Sequence, residues 1–174
     1  MRRLPAALPD LYTPTAMRLT ELFAVTDLLV DFEPTDKWDS ITRLVDHLNA
    51  TGRVPADSLE EVREAVINRE RSMSTGMEHG IAIPHAAVDG IETVAAAMGV
   101  IRREGGLAFD SIDGRPARLV VLLVIPRAQK LLHIRTLADV ARVLGQDSVR
   151  EGLLEATTDG EAWSALREGE FEVR

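Results

Sequence analysis

The chain has 174 residues, 45% of them hydrophobic and 28% charged, with a net charge of −8 and no cysteine. That length suits one domain with a sizeable core, and the acid excess argues against a nucleic-acid ligand, which calls for a basic face. Without cysteine there is no disulfide framework, no thiolate metal site and no thiol nucleophile.

Residues 1–17, interrupted by Pro5, Pro9 and Pro14, read as an irregular N-terminal arm. No adequate apolar stretch follows Arg2 and Arg3, so the start is not read as a signal peptide. A turn of helix is placed near Thr15–Phe23, and a single domain over 18–170. Leu28 to Phe32 is predicted as a first strand, closed by Glu33-Pro34, with Thr35 as N-cap of the next helix. In that helix Trp38, Ile41, Val45 and Leu48 mark one apolar face, and Gly52 stops it.

Ser58-Leu59-Glu60-Glu61 has the form of a capping box. The helix it opens carries Leu59, Val62, Val66, Arg69 and Met73 on one stripe. Arg69 therefore faces inward, where a guanidinium must be paired or must border a cleft. The pattern leaves both readings open. Ser72 to Gly80 is a loop, and Gly80 to Ile83 a short strand ended by Pro84. Thr93 to Ile101 reads as a second buried strand. Leu119 to Ile125 is the clearest strand, continuous in Leu and β-branched residues, and far too short to cross a bilayer. Leu131 to Leu144 is a helix, with Ile134, Leu137, Ala138, Ala141 and Leu144 apolar, and 148–156 and 160–167 suggest two more. Strands interleaved with helices predict an α/β fold: a central mixed β-sheet flanked by α-helices in a three-layer sandwich.

Four histidines carry the chemical question. His47, on the flank of an amphipathic helix, reads as a solvated surface residue, and His79 as a loop residue at the rim of a site. His85 follows Ile-Ala-Ile-Pro, and the proline stiffens the backbone leading to it. That suits a nucleophile required in one orientation, although a strand-end histidine by itself is more often structural. His133 opens the last long helix, aligned with Leu137, Val140 and Leu144 toward the buried side. A helix N-terminus disfavours imidazolium and offers N–H groups to an anion, so a neutral His133 suits a hydrogen bond to a phosphoryl oxygen or to the ring of another histidine; the plain alternative is a histidine that merely caps or packs. Histidines without a motif such as H-E-x-x-H give no metal assignment, and Met73 to Met77 is followed by no G-K-[ST] of a Walker loop. Ser74 has no G-x-S-x-G setting, and neither a dinucleotide fingerprint nor a catalytic carboxylate pair is present.

Arg69-Glu70, then Ser74-Thr75-Gly76, then Gly80-Ile81-Ala82-Ile83-Pro84-His85 together resemble the signature of type-2 enzyme IIA domains of the bacterial phosphoenolpyruvate-dependent sugar phosphotransferase system, the fructose/mannitol/nitrogen-regulatory class. The resemblance continues through Ala108 to Pro116, Leu119 to Pro126 and His133 to Leu137, and covers roughly Arg18 to Glu168. It implies a phosphocarrier phosphorylated on His85, with His133 supporting the phosphoryl group, Arg69 stabilising its charge or orienting neighbours, and Ser74, Thr75 and Gly76 forming a phosphate loop. The implied donor is the phosphohistidine of an HPr-type carrier, and the recipient is an enzyme IIB domain or a regulatory target. No cofactor, metal or nucleic acid is implied, nor insertion in a membrane, and the expected location is the cytoplasm. A regulatory interaction module that has lost phosphotransfer is the alternative.

Overall fold

A computed structural model describes residues 17–172, with the side chain of residue 172 left aside. The expected arm at 1–17 falls almost wholly outside these residues. The described chain runs α1 (Leu19–Leu22), a 3-10 turn, β1 (Leu28–Leu29), α2 (Lys37–Ala50), a second 3-10 turn, α3 (Leu59–Ser72), β2 (Ile81–Ala82), β3 (His85–Val88), β4 (Ala95–Val100), β5 (Leu119–Pro126), α4 (Lys130–Leu144), α5 (Asp147–Glu155) and α6 (Asp159–Glu172).

β5 is buried along all of its length and organises the sheet. β4 lies antiparallel on one side of it, with β1 parallel to β4 beyond. On its other side run β2 and then β3, both parallel to β5. The sheet is therefore mixed. Alternate residues of β5 feed two cores. Leu119, Val121, Leu123 and Ile125 pack with α1, α4, α5 and α6, while Val120, Leu122 and Val124 pack with α2 and α3. Helices cover both faces, which gives the three layers expected from the sequence.

Several local expectations shift. Of the first predicted strand only Leu28–Leu29 forms a strand, and further on the Phe32 N–H donates to the Val100 carbonyl at 3.3 Å. The N-cap of α2 is Asp36 and not Thr35: the Asp36 side chain accepts from the Asp39 N–H at 2.8 Å, and the Asp39 carboxylate accepts from the Thr35 N–H at 2.8 Å. Two carboxylates thus do what the hydroxyl was expected to do. Ser58 precedes α3 but its side chain makes no cap, because a 3-10 turn at Ala56–Ser58 already leads the chain in. In α4 the buried face is Thr136, Asp139, Val140, Val143 and Leu144, and Ile134 is 67% exposed.

The largest difference concerns Pro84. It does not end the strand; it splits it. Ile81 and Ala82 pair with Leu119 and Val120, and His85 to Val88 pair with Leu123 to Pro126, so both pieces keep one register along β5. Proline brings no N–H to a ladder, but its carbonyl accepts from Leu123 at 3.0 Å and holds the two halves in line.

Candidate functional site

Period-two alternation sets the direction of His85. Ile81 and Ile83 belong to the core beneath α4, whereas Ala82, Ala86 and Val88 belong to the opposite core. His85 continues the first row and is half-buried facing α4. There it meets His133, on the first turn of α4, ring edge to ring face, with centroids 5.2 Å apart and planes at 75°.

The break at Pro84 also serves the imidazole. Nδ1 of His85 lies 2.7 Å from the Ile83 carbonyl oxygen. A carbonyl only accepts, so Nδ1 carries the proton in the neutral ring and Nε2 keeps its lone pair. The strand interruption thus selects the tautomer.

The ring is also kept neutral. Burial holds His85 below its ordinary value of 6.5, and the charges of Arg69 and His133 add to this, against the Ile83 hydrogen bond and Glu70. His133 is lowered first by burial and then by Arg69. The helix N-terminus expected to neutralise it is not the main cause.

Arg69 borders a cleft, which decides between the two readings of its inward stripe. With Thr75, Met77, Ile83, His85 and Leu137 it lines a cavity of about 230 Å³. Its Nη1 donates to the Met73 carbonyl at 2.8 Å, closing the last turn of α3. The fully buried charge of this helix is its neighbour Glu70. Met73, expected on the same stripe, is 70% exposed, because α3 ends before it.

The three residues of the expected phosphate loop have distinct places. The Ser74 hydroxyl donates to the Phe109 carbonyl and accepts from the Gly76 N–H at 3.1 Å. Gly76 lies against Phe109 and Ser111 so closely that a Cβ would sit 2.7 Å from the Phe109 oxygen. Thr75 lines the histidine cavity; its N–H and hydroxyl both go to Glu70, the hydroxyl at 2.5 Å from Oε2. The Thr75 carbonyl receives the Ile83 N–H at 3.1 Å, which ties the loop to the strand that bears His85.

Glu70 is the member of the site that sequence reasoning did not single out. It also receives Lys37 at 3.4 Å, and Lys37 reaches Asp110 at 3.1 Å. The available signal was an acid directly after an inward arginine.

The other two histidines lie elsewhere. His79 is exposed in the left-handed region, with φ of 63°, and faces a different cavity. His47 is not a solvated surface residue: its Nε2 lies 3.4 Å from Oδ1 of the buried Asp27, which Arg53 also pairs at 2.7 Å.

A neutral imidazole with a free lone pair, a second imidazole against it and a guanidinium in the same cleft make a site suited to phosphoryl groups. An α/β sandwich with that site defines the class of protein. Residues 21–169 match the family described as "Phosphoenolpyruvate-dependent sugar phosphotransferase system, EIIA 2", and the chain belongs to that family. It is therefore an EIIA component of a system that transfers phosphoryl groups.

The chain is 33% identical over 155 residues to the fructose-specific EIIA component of Haloferax volcanii, covering 87% of this chain and 98% of that protein. It is 32% identical over 143 residues to the fructose-specific EIIABC component of Bacillus subtilis, covering 82% of this chain and 22% of that protein, so it spans about a fifth of that relative. Among solved structures it is similar to the nitrogen regulatory protein IIA-Ntr of Neisseria meningitidis, with a TM-score of 0.74, 27% identity, and coverage of 85% of this chain and 98% of that one.

Proposed function

We propose that this chain is a cytoplasmic phosphocarrier that accepts a phosphoryl group on Nε2 of His85 from the phosphohistidine of an HPr-type protein. The observation that carries this reading is the Nδ1 contact of His85 to the Ile83 carbonyl, which leaves Nε2 as the nucleophile. In the transfer the N–P bond of the donor breaks and an N–P bond to Nε2 forms, while the proton stays on Nδ1, donated in a hydrogen bond to the Ile83 carbonyl. Arg69 stabilises the charge on the phosphoryl oxygens, and His133 hydrogen-bonds one of them. Such a reaction calls for positioning and charge stabilisation, which these residues supply.

The surroundings favour a protein donor. Met73 follows the helix of Arg69, Leu131 and Ile134 flank His133, and these residues are 70%, 78% and 67% exposed. An apolar margin of this kind suits a protein surface.

The acceptor is an enzyme IIB domain in a sugar-uptake role, or the phosphoryl group is held as a signal in a nitrogen-type regulatory role. Similarity to fructose-specific components and to a nitrogen regulatory protein supports both. The family stretch Ala108 to Asp113 favours the regulatory role by analogy. A phosphotransfer-inactive module is disfavoured by the retained, mutually oriented His85 and His133.

The test is the intact mass of the protein after incubation with phosphoenolpyruvate, enzyme I and an HPr-type carrier, beside His85→Ala. One acid-labile phosphoryl adduct on the wild type, absent from the variant, is expected. Equal labelling of His85→Ala would move the nucleophile elsewhere, and an unlabelled wild type would leave the interaction module.

A further inference from the structure

We propose that the chain carries a second anion site, separate from the histidine pair, that binds the phosphate of a small phosphomonoester between Arg115, Arg118 and Arg150. These three arginines and His79 line a cavity of about 280 Å³ whose remaining walls include Leu119 and Leu154. No carboxylate lines it, in a chain with 28 acidic residues against 20 basic ones.

Arg118 is the centre of the argument. Its Nε donates to the Ile101 carbonyl at 3.2 Å and its Nη2 to the Arg102 carbonyl at 3.0 Å. Among the described residues it pairs with no carboxylate. Two neutral carbonyls therefore fix the plane of a half-buried guanidinium without neutralising it. A guanidinium oriented in this way keeps its full charge for an anion that enters the cavity.

Arg150 is similarly fixed. Its Nη1 donates to the Leu144 carbonyl at 2.9 Å, and its carboxylate partner, Asp147, is 84% exposed and does not line the cavity. Arg115 is 69% exposed, held loosely with Nε 3.8 Å from Asp113, and is free to close over a bound anion. The backbone N–H of His79 is anchored on Asp113 at 3.0 Å, with its ring at the rim.

Two fixed guanidiniums and one exposed one match a phosphomonoester dianion, whose three oxygens each accept charge-assisted hydrogen bonds. Pro116 and Leu154, which also line the cavity, offer cover to a compact carbon skeleton. The volume lies at the small end for ligand pockets, which sets the size of that skeleton. The site is distinct from the histidines: Leu119 lines it, whereas His85 pairs with Leu123, four residues or ~13 Å further along β5. Gly80, in its wall, heads the segment that leads to Pro84 and His85.

The experiment is an amide NMR titration of the full chain with phenyl phosphate, with inorganic phosphate, and with sodium chloride at matched ionic strength. Saturable shifts at Gly80, Arg118 and Arg150 are expected with phenyl phosphate, about tenfold tighter than with inorganic phosphate because carbon surface is buried. Arg118→Gln removes this binding. Arg115→Gln, on an exposed side chain that folding does not require, weakens it about fivefold. Shifts that saturate only around Thr75 and His85, shifts reproduced by chloride, equal affinity for inorganic phosphate, or an Arg115→Gln titration identical to wild type would each overturn the assignment.

Discussion

The buried carboxylate of Glu70 accepts both the N–H and the hydroxyl of Thr75, five residues on, and so bends the chain leaving α3 back toward its own last turn. The Thr75 carbonyl then takes the Ile83 N–H, and Ile83 in turn takes Nδ1 of His85. A chain of hydrogen bonds thus runs from a buried acid to the candidate nucleophile. Glu70→Gln is expected to destabilise the domain by about 1–3 kcal/mol, since it leaves Lys37 and Thr75 short of an acceptor. Thermal unfolding should shift by roughly 2–4 °C per kcal/mol. Phosphoryl acceptance should slow at saturating carrier with little change in the carrier's KM, because the docking surface is untouched; a variant changed only in KM would show that Glu70 does not position His85.

Arg69 lowers the proton affinity of both histidines by its charge. In Arg69→Ala both imidazoles should therefore titrate at higher pH, which histidine ring NMR can follow residue by residue. Loss of the hydrogen bond to Met73 should cost only about 0.5–1.5 kcal/mol. Transfer should fall about 10²-fold, the usual scale for removing one preorganised donor to developing charge. Unchanged titration curves would show that the guanidinium is too well screened to act.

The same histidines set a pH dependence. Both are depressed from 6.5 in the folded state, first by burial. Well above 6.5 they are neutral whether folded or not, and contribute no slope. As pH falls below 6.5 the unfolded chain takes up protons that the folded chain refuses, so stability is lost until the folded values are reached. Denaturant midpoints measured from pH 7.5 downward should fall through this window, less steeply in His85→Gln. A variant with the wild-type slope would show that His85 is not the depressed group.

Gly76 sits where a side chain has no room: a Cβ would be 2.7 Å from the Phe109 oxygen and 2.8 Å from Cα of Ser111. Gly76→Ala is expected to cost about 1–3 kcal/mol and to displace Thr75 from Glu70. Calorimetry checks the first effect and the Thr75 amide shift the second. Wild-type values for both would mean that the 109–111 loop yields freely.

Helix and strand positions were legible where periodicity was strong. The stripe of Trp38, Ile41, Val45 and Leu48 located α2, and the unbroken run Leu119 to Ile125 located the strand at the centre of the sheet. Caps were less legible, because Thr35, Asp36 and Ser58 all have side chains able to cap, and the backbone entering each helix decides which one is aligned. In α4 the row containing Ile134 and the row containing Thr136 and Val140 are both plausible inward faces. The buried one was selected by contact with the sheet and α6, which leaves Leu131 and Ile134 outside.

The site divides in the same way. Local chain chemistry, namely the proline before His85 and the helix start near His133, was determined by sequence alone, because each depends on neighbours a few bonds away. That the rings of His85 and His133 meet with centroids 5.2 Å apart, and that Glu70 and not Arg69 is the fully buried charge, were decided only by the tertiary structure. The histidine contact joins β3 to α4 across 48 positions and depends on the register of β3 against β5, which no local pattern specifies.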